Sequence, residues 1–204
     1  MNKIEMTRAF WSICPANVPH TLILPNNSNG LEQVLDEMSF PLVIKEPRNS
    51  MGRGVFLVDG PSELRKITEK MEVLYVQEYL PVENDLRIVF VGESIAAAYW
   101  RRGGDGFHHN IAKGAQADFE AIPEAALNLV DTVVHGLGLD YAGFDVAMVD
   151  GHPFVFEFNL LFGNLVLNAC GIHLGPGIVE YLKKRLPVPP PRSLPGTSRL
   201  IVSS

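Results

Sequence analysis

The chain has 204 residues, 47% of them hydrophobic, a formal net charge of −6 at pH 7 and two cysteines. That is enough apolar material for a buried core in one or two domains. The acidic balance argues against a nucleic-acid partner held by bulk charge, and two cysteines are too few for a disulfide framework. No apolar run approaches the roughly 18 residues of a membrane span, and the opening Met1-Asn2-Lys3-Ile4-Glu5-Met6 lacks the layout of a secretory leader. The expected location is therefore the cytoplasm.

Asn2 and Glu5 have the spacing of a capping box, which predicts a helix over Ile4 to Ile13 ending before Cys14-Pro15. After the loop around Pro25 to Gly30, Leu31, Val34, Leu35 and Met38 share one face of a second helix. Phe40 to Lys45 and Gly54 to Val58 read as strands, Pro61 to Met71 as a helix, and Leu74 to Tyr79 as a strand. Leu86 to Val91 and Ser94 to Trp100 form a hairpin around Gly92-Glu93. Pro123 to Leu137 is an amphipathic helix closed by glycine, followed by a hairpin turning at Asp150 to Pro153. A last helix runs from about Gly177 to Leu186, and the Pro-rich remainder, 187–204, is an extended tail. Strand pairs interleaved with helices predict an α+β fold rather than a doubly wound parallel sheet.

Two acids interrupt the apolar strands of the last hairpin: Asp145 and, twelve positions on, Glu157. Glu157 and Asn159 face the same way at i, i+2. Two carboxylates and an amide oxygen suit a hard cation such as magnesium, which completes its shell with water and phosphate oxygens; a solvated Asp-Gly hairpin is the competing reading. The pairing is decisive. A bare two-residue loop sets Asp145 opposite Phe156, with Glu157 on the other face, so the metal reading requires an odd loop or a bulge.

Lys45 ends an apolar strand a few residues before Gly52-Arg53-Gly54, where exposed amides can cradle phosphates or simply turn a hairpin. The exit at Gln77-Glu78-Tyr79 can offer backbone groups to an adenine edge, and Asp85 can accept ribose hydroxyls; an ordinary strand end explains them equally well. Arg101 and Arg102, with Asn110 beyond the Gly103 to Gly106 turn, can meet phosphoryl charge or be a solvated pair. His108 and His109 are adjacent and so face apart, which disfavours zinc. No nucleophile motif is present.

Taken in order, the segments Pro41 to Lys45, Gly52 to Val55, Val76 to Tyr79, Asp85-Leu86-Arg87, Arg101, Asn110, Ala142 to Asp145 and Phe156 to Asn159 resemble the ATP-grasp superfamily, and RimK-type glutamate ligases in particular. The resemblance implies two α+β subdomains with antiparallel sheets, about 14–80 and 81–186, enclosing ATP. Lys3 and Lys45 would contact phosphates under a loop carrying Gly52 and Gly54. The backbone at Glu78 and Tyr79 would receive adenine, and Asp85 the ribose. Asp145, Glu157 and Asn159 would hold magnesium, or manganese in its place. Arg101 and Asn110 would lie near the phosphates and Lys113 toward the acyl substrate. The implied chemistry is ADP-forming ligation: a small-molecule or peptide carboxylate, glutamate or a similar amino acid among the candidates, attacks ATP to give an acyl phosphate that an amine displaces.

Three departures stand out. His108-His109-Asn110 replaces an Arg-Ser-Asn triplet. Asn159-Leu160-Leu161-Phe162-Gly163 replaces Asn-Ala-Ser-Pro-Gly, which implies a more apolar acceptor pocket. Relatives also usually carry an N-terminal α/β domain before the position of Lys3. A separate partner chain or homo-oligomer is accordingly an expectation, as is the alternative that this is an ATP-binding module without independent ligase activity.

Overall fold

The structure is a computed structural model and describes residues 2–48, 54–103 and 116–186. Helix α1, Lys3–Ile13, starts at the expected box: Asn2 Oδ1 accepts from the Glu5 amide at 3.0 Å, and Glu5 Oε2 accepts from the Asn2 amide at 2.9 Å. A first antiparallel sheet contains β1 (Thr21–Pro25), β2 (Leu42–Lys45), β3 (Val55–Val58) and β4 (Val73–Glu78) in the order β1-β4-β2-β3. Strand β1 was not among the expected elements. It is a short edge strand ending in proline, the kind of position where proline is tolerated because no ladder bond is lost.

Helices α2 (Ser28–Glu37) and α3 (Pro61–Thr68) cover one face of this sheet, burying Val34, Leu42, Ile44, Leu64, Leu74 and Val76 together. Helix α2 begins three residues before the expected Leu31 because Asn27 caps it, accepting from the Gly30 amide at 2.9 Å. A Cβ at Gly30 would lie 2.2 Å from the Pro25 carbonyl oxygen, so only glycine fits there. By alternation, Val43, Lys45, Tyr75 and Gln77 occupy the face away from these helices.

The second antiparallel sheet has the order β7-β6-β5-β8-β9, built from β5 (Asp85–Val91), β6 (Ser94–Arg102), β7 (Gln116–Asp118), β8 (Tyr141–Val149) and β9 (His152–Asn159). Helices α1 and α4 (Glu124–Leu137) bury one face, where Phe10, Ile88, Val130, Phe144 and Phe158 meet. On the other face Val89, Val91 and Tyr99 pack under α5 (Leu165–Ala169) and α6 (Leu174–Arg185). The remainder of that face carries the charged residues. Helix α1 also reaches the first sheet: Thr7 Oγ1 and the Tyr75 hydroxyl are 2.6 Å apart, and the Lys3 amide donates to the Pro47 carbonyl at 3.0 Å. The fold is α+β, two antiparallel sheets with their covering helices, as the sequence predicts. Among the described residues no helix is long and apolar enough to cross a membrane. The expected tail lies outside the described residues.

Candidate functional site

Asp145 stands opposite Glu157, and of the two routes to that pairing, an odd loop or a bulge, the bulge supplies it. Asp150 and Gly151, with φ of 49° and 79°, make a two-residue turn, and Val149 pairs with His152. Parity changes further along, where Val146 pairs with Val155 and Asp145 with Glu157, leaving Phe156 as a bulge. A second bulge does the same across β5 and β6: Val91 pairs with Ser94, yet Val89 pairs with Ala97, which sets Asp85 opposite Arg101. An unbroken ladder would have given Asp85 the indole of Trp100 as its partner. The two shifts gather Asp85, Arg87, Arg101, Asp145, Glu157 and Asn159 on one surface.

Arg101 binds Asp85 with both ends of its guanidinium, Nε donating to Oδ1 at 2.7 Å and Nη2 to Oδ2. Asp85 is 6% and Arg101 9% exposed. Burial opposes the arginine's charge, but Asp145 and Asp85 outweigh it and hold its pKa above the ordinary value. Each Asp85 oxygen that serves Arg101 keeps a further lone pair, so the expected ribose hydroxyl would share the carboxylate with that guanidinium. Asp145 Oδ1 lies 2.8 Å from Arg87 Nε and 3.2 Å from Arg101 Nη2, and although fully buried it receives no aligned hydrogen bond from either. That atom is held instead by ion pairing to both guanidinium groups. Asn159 Nδ2 donates to Glu157 Oε1 at 3.0 Å, which leaves the Asn159 carbonyl oxygen for another partner.

Arg87, expected only as one of several cations and as part of the Asp85-Leu86-Arg87 segment, is central. Its i, i+2 relation to Asp85 was the available signal. Its guanidinium carbon sits 5.9 Å from the Phe162 ring centre. Gly143 makes that packing possible, since a Cβ there would come within 3.0 Å of both Arg87 Nη1 and the Phe162 ring. Next to Phe162, Leu160, Leu161 and Leu165 are 54%, 96% and 81% exposed.

Lys45 approaches from the first sheet. Its ammonium donates to Gln77 Oε1 at 2.5 Å and lies 5.8 Å from the Tyr75 ring centre and 5.6 Å from that of the bulged Phe156. Burial lowers its pKa to about 8, with Glu157 pulling upward and Lys3 pushing down. Lys3 is lowered too, by burial first, against Glu157 and Glu46; its ammonium donates to the Glu46 carbonyl at 3.2 Å. Two lysines therefore converge on one acid, which is a setting prepared for an anion.

Gly54, with φ of 66°, closes the β2–β3 connection, and its carbonyl accepts from the Glu46 amide at 2.7 Å. Glu78 is turned toward β1: its amide donates to the His20 carbonyl at 2.8 Å and Oε1 accepts from the His20 amide at 2.6 Å. Glu78 and Tyr79 line a cavity of about 330 Å³ with Met38, Phe40 and Leu42. The Glu78 amide proton is thus already committed, and an adenine edge would have to use other backbone groups. Gly52, Asn110 and Lys113 lie outside the described residues, as do His108 and His109.

Among the described residues no three His, Cys, Asp or Glu side chains converge as a metal cluster. The donor set is instead Asp145, Glu157 and the Asn159 amide. It fits magnesium, which needs only one or two carboxylates when phosphate oxygens supply the rest; Asp145 would meet the ion while ion-paired to Arg87 and Arg101. A model of the RimK-like ATP-grasp domain matches residues 13–182.

The chain belongs to the RimK-like ATP-grasp family. A probable alpha-L-glutamate ligase of Xanthomonas campestris pv. campestris is 32% identical over 157 residues, covering 72% of this chain and 53% of the relative. The chain spans about half the length of the curated relatives it matches. Among solved structures, a RimK domain ATP-grasp protein from Sphaerobacter thermophilus superposes with a TM-score of 0.72 at 19% identity, over 88% of this chain and 66% of that one. D-alanine–D-alanine ligase from Bacillus anthracis, complexed with ATP, gives 0.68 at 20% identity, over 90% and 66%. These likenesses show that the RimK-like chain shares its fold with another RimK domain protein and with a D-alanine–D-alanine ligase.

Proposed function

We propose that this RimK-like chain carries the ATP site of an ATP-dependent carboxylate–amine ligase that works through an acyl phosphate, with glutamate or a similar amino acid as one substrate. The observation that carries the reading is the convergence on Glu157 of Lys45 from the first sheet and Lys3 from α1, with Asp145 opposite that acid and Asn159 bonded to it on the second sheet. The proposed boundaries are residues 14–80 and 81–186 for the two halves that hold ATP. Gly52, Asn110 and Lys113 are assigned to the same site by resemblance.

Attack of a carboxylate on a phosphate brings two anions together, so the site must offset charge before it can orient the reactants. Lys45 and Lys3 present ammonium groups to the phosphates. Arg101 is fixed by Asp85 and shares Asp145 with Arg87, so neither guanidinium needs to reorganise as charge shifts. Asp145, Glu157 and Asn159 would hold magnesium, whose chemistry is to neutralise and polarise phosphate oxygens. The exposed Leu160 and Leu161 beside Phe162 support an acceptor with an apolar side chain.

The test is ADP release from ATP and magnesium in the presence of paired carboxylate and amine pools. Release should depend on both substrates and be abolished by Glu157→Ala; release that persists in that variant rejects the mechanism. Because the chain spans about half the length of its relatives, a second reading is an ATP-binding module that turns over only with a further segment or partner chain. Calorimetry would then show magnesium-dependent ATP binding without turnover until that partner is added. The location proposed for either form is the cytoplasm.

A further inference from the structure

Lys45 is held by a relay that crosses three neighbouring strands. Gln77 lies opposite Thr21 in β1 and opposite Val43 in β2, so Thr21, Gln77 and Lys45 share the face turned away from α2 and α3. Gln77 is 3% and Thr21 6% exposed. A buried amide with two distinguishable ends must be told which way to point. Thr21 supplies the instruction: its hydroxyl donates its only proton to the Pro19 carbonyl at 2.6 Å, so toward Gln77 it can act solely as an acceptor. Gln77 Nε2 donates to it at 2.8 Å, which turns Oε1 toward the Lys45 ammonium at 2.5 Å. The reversed amide would set an NH2 group against an ammonium and leave the Thr21 oxygen without a donor.

We propose that Gln77 is a positioning residue that aims the Lys45 ammonium at the nucleotide phosphates, and that Thr21 acts through it by fixing the orientation of the Gln77 amide. One hydrogen bond fixes the end of a four-carbon chain, the rings of Tyr75 and Phe156 flank it, and among the described residues the other two N–H donors meet no hydrogen-bond acceptor. The inference rests on the reading of Lys45 as a phosphate contact.

The test compares the Kd of ATP with that of adenosine, which has no phosphate, in the full chain. Losing a charge-assisted bond of this kind is worth about tenfold, so Gln77→Met should raise the Kd of ATP about tenfold and leave that of adenosine unchanged. Thr21→Val should weaken ATP binding less, and Thr21→Ser, which keeps the hydroxyl, should restore it. In a Lys45→Met background Gln77→Met should have no further effect, because residues acting as one unit are not additive. Unchanged ATP affinity in Gln77→Met, equal losses for adenosine and ATP, or full additivity with Lys45→Met would each overturn the proposal. If Gln77→Met does not fold, the Thr21→Val and Thr21→Ser pair decides: equal ATP affinity in the two refutes it. ATP binding unaffected by Lys45→Met alone would instead refute the phosphate reading of that lysine, and this inference with it.

Discussion

Asp145 and Glu157 face each other across β8 and β9 because Phe156 is an extra residue in β9. The bulge reverses the alternation of the strand, so Val155 stays in the core under α1 and α4 while Glu157 comes to the opposite surface. Bulges beside active sites commonly re-aim a side chain in this way.

Glu157→Gln should therefore remove metal affinity without removing the fold. Manganese binding followed by electron paramagnetic resonance, with ATP present, should weaken by at least tenfold, about 1.4 kcal/mol, while thermal melting stays near that of the parent. Deleting Phe156 is the informative companion. Val155 would still face Val146, and Glu157 would still face Asp145 in an unbroken ladder, so most of the manganese affinity should survive. Loss of binding in the deletion equal to that in Glu157→Gln would show that the bulge itself shapes the site.

Asp85 and Arg101 make the strongest prediction about stability. Their side chains are 9% and 11% exposed, and removing one member of a buried pair strands the other, at a cost of about 3–5 kcal/mol. Asp85→Asn should lower the urea midpoint accordingly, and Asp85→Leu with Arg101→Met should recover most of the loss. A full-size loss in the double variant would mean that the pair is not coupled.

Much of this site could be read from residue order, and what could not has a physical explanation. Asn2 and Glu5, the Asp150-Gly151 turn and the glycine stop at Gly138 are local signals, and each lies within a few residues of what it determines. The two bulges are different. Neither Phe156 nor the shift between Val89 and Phe90 leaves a compositional mark, yet they decide that Glu157 meets Asp145 and that Asp85 meets Arg101 rather than Trp100. The Arg101 partner of Asp85 was consequently not foreseen. Strand β1 was missed because a five-residue edge strand ending in Pro25 looks like a loop, and with it went the Thr21–Gln77 contact.

The exposed Leu161 predicts substrate preference. A hydrophobic contact distinguishes side chains by about 1–3 kcal/mol, so Leu161→Asp should lower kcat/KM for an amine acceptor with an apolar side chain by tenfold or more. ATP affinity should be unaffected. Equal losses for apolar and acidic acceptors would remove Leu161 from the acceptor pocket.

Lys45 predicts opposite responses of stability and binding to pH. Burial lowers its pKa from 10.5 to about 8; among the groups that act on it, Glu157 raises the value and Lys3 lowers it, while the neighbouring Tyr75 phenol is itself raised, chiefly by burial. An unfolded lysine keeps its proton to about pH 10.4. Between pH 8 and that value the unfolded chain binds more protons than the folded one, so this group's contribution to stability rises with pH, by on the order of 3 kcal/mol across the window. ATP binding should run the other way, weakening above about pH 8 as the ammonium loses its charge. Bound phosphates favour the protonated lysine, so binding at pH 9 should take up a proton. Calorimetry in buffers of different ionisation enthalpy measures that uptake directly. In Lys45→Met it should fall to whatever Lys3, also lowered by burial, contributes, and in the same variant the stability profile should lose most of its rise between pH 8 and 10. A parent protein with no proton uptake at pH 9 would mean that Lys45 does not meet the phosphates.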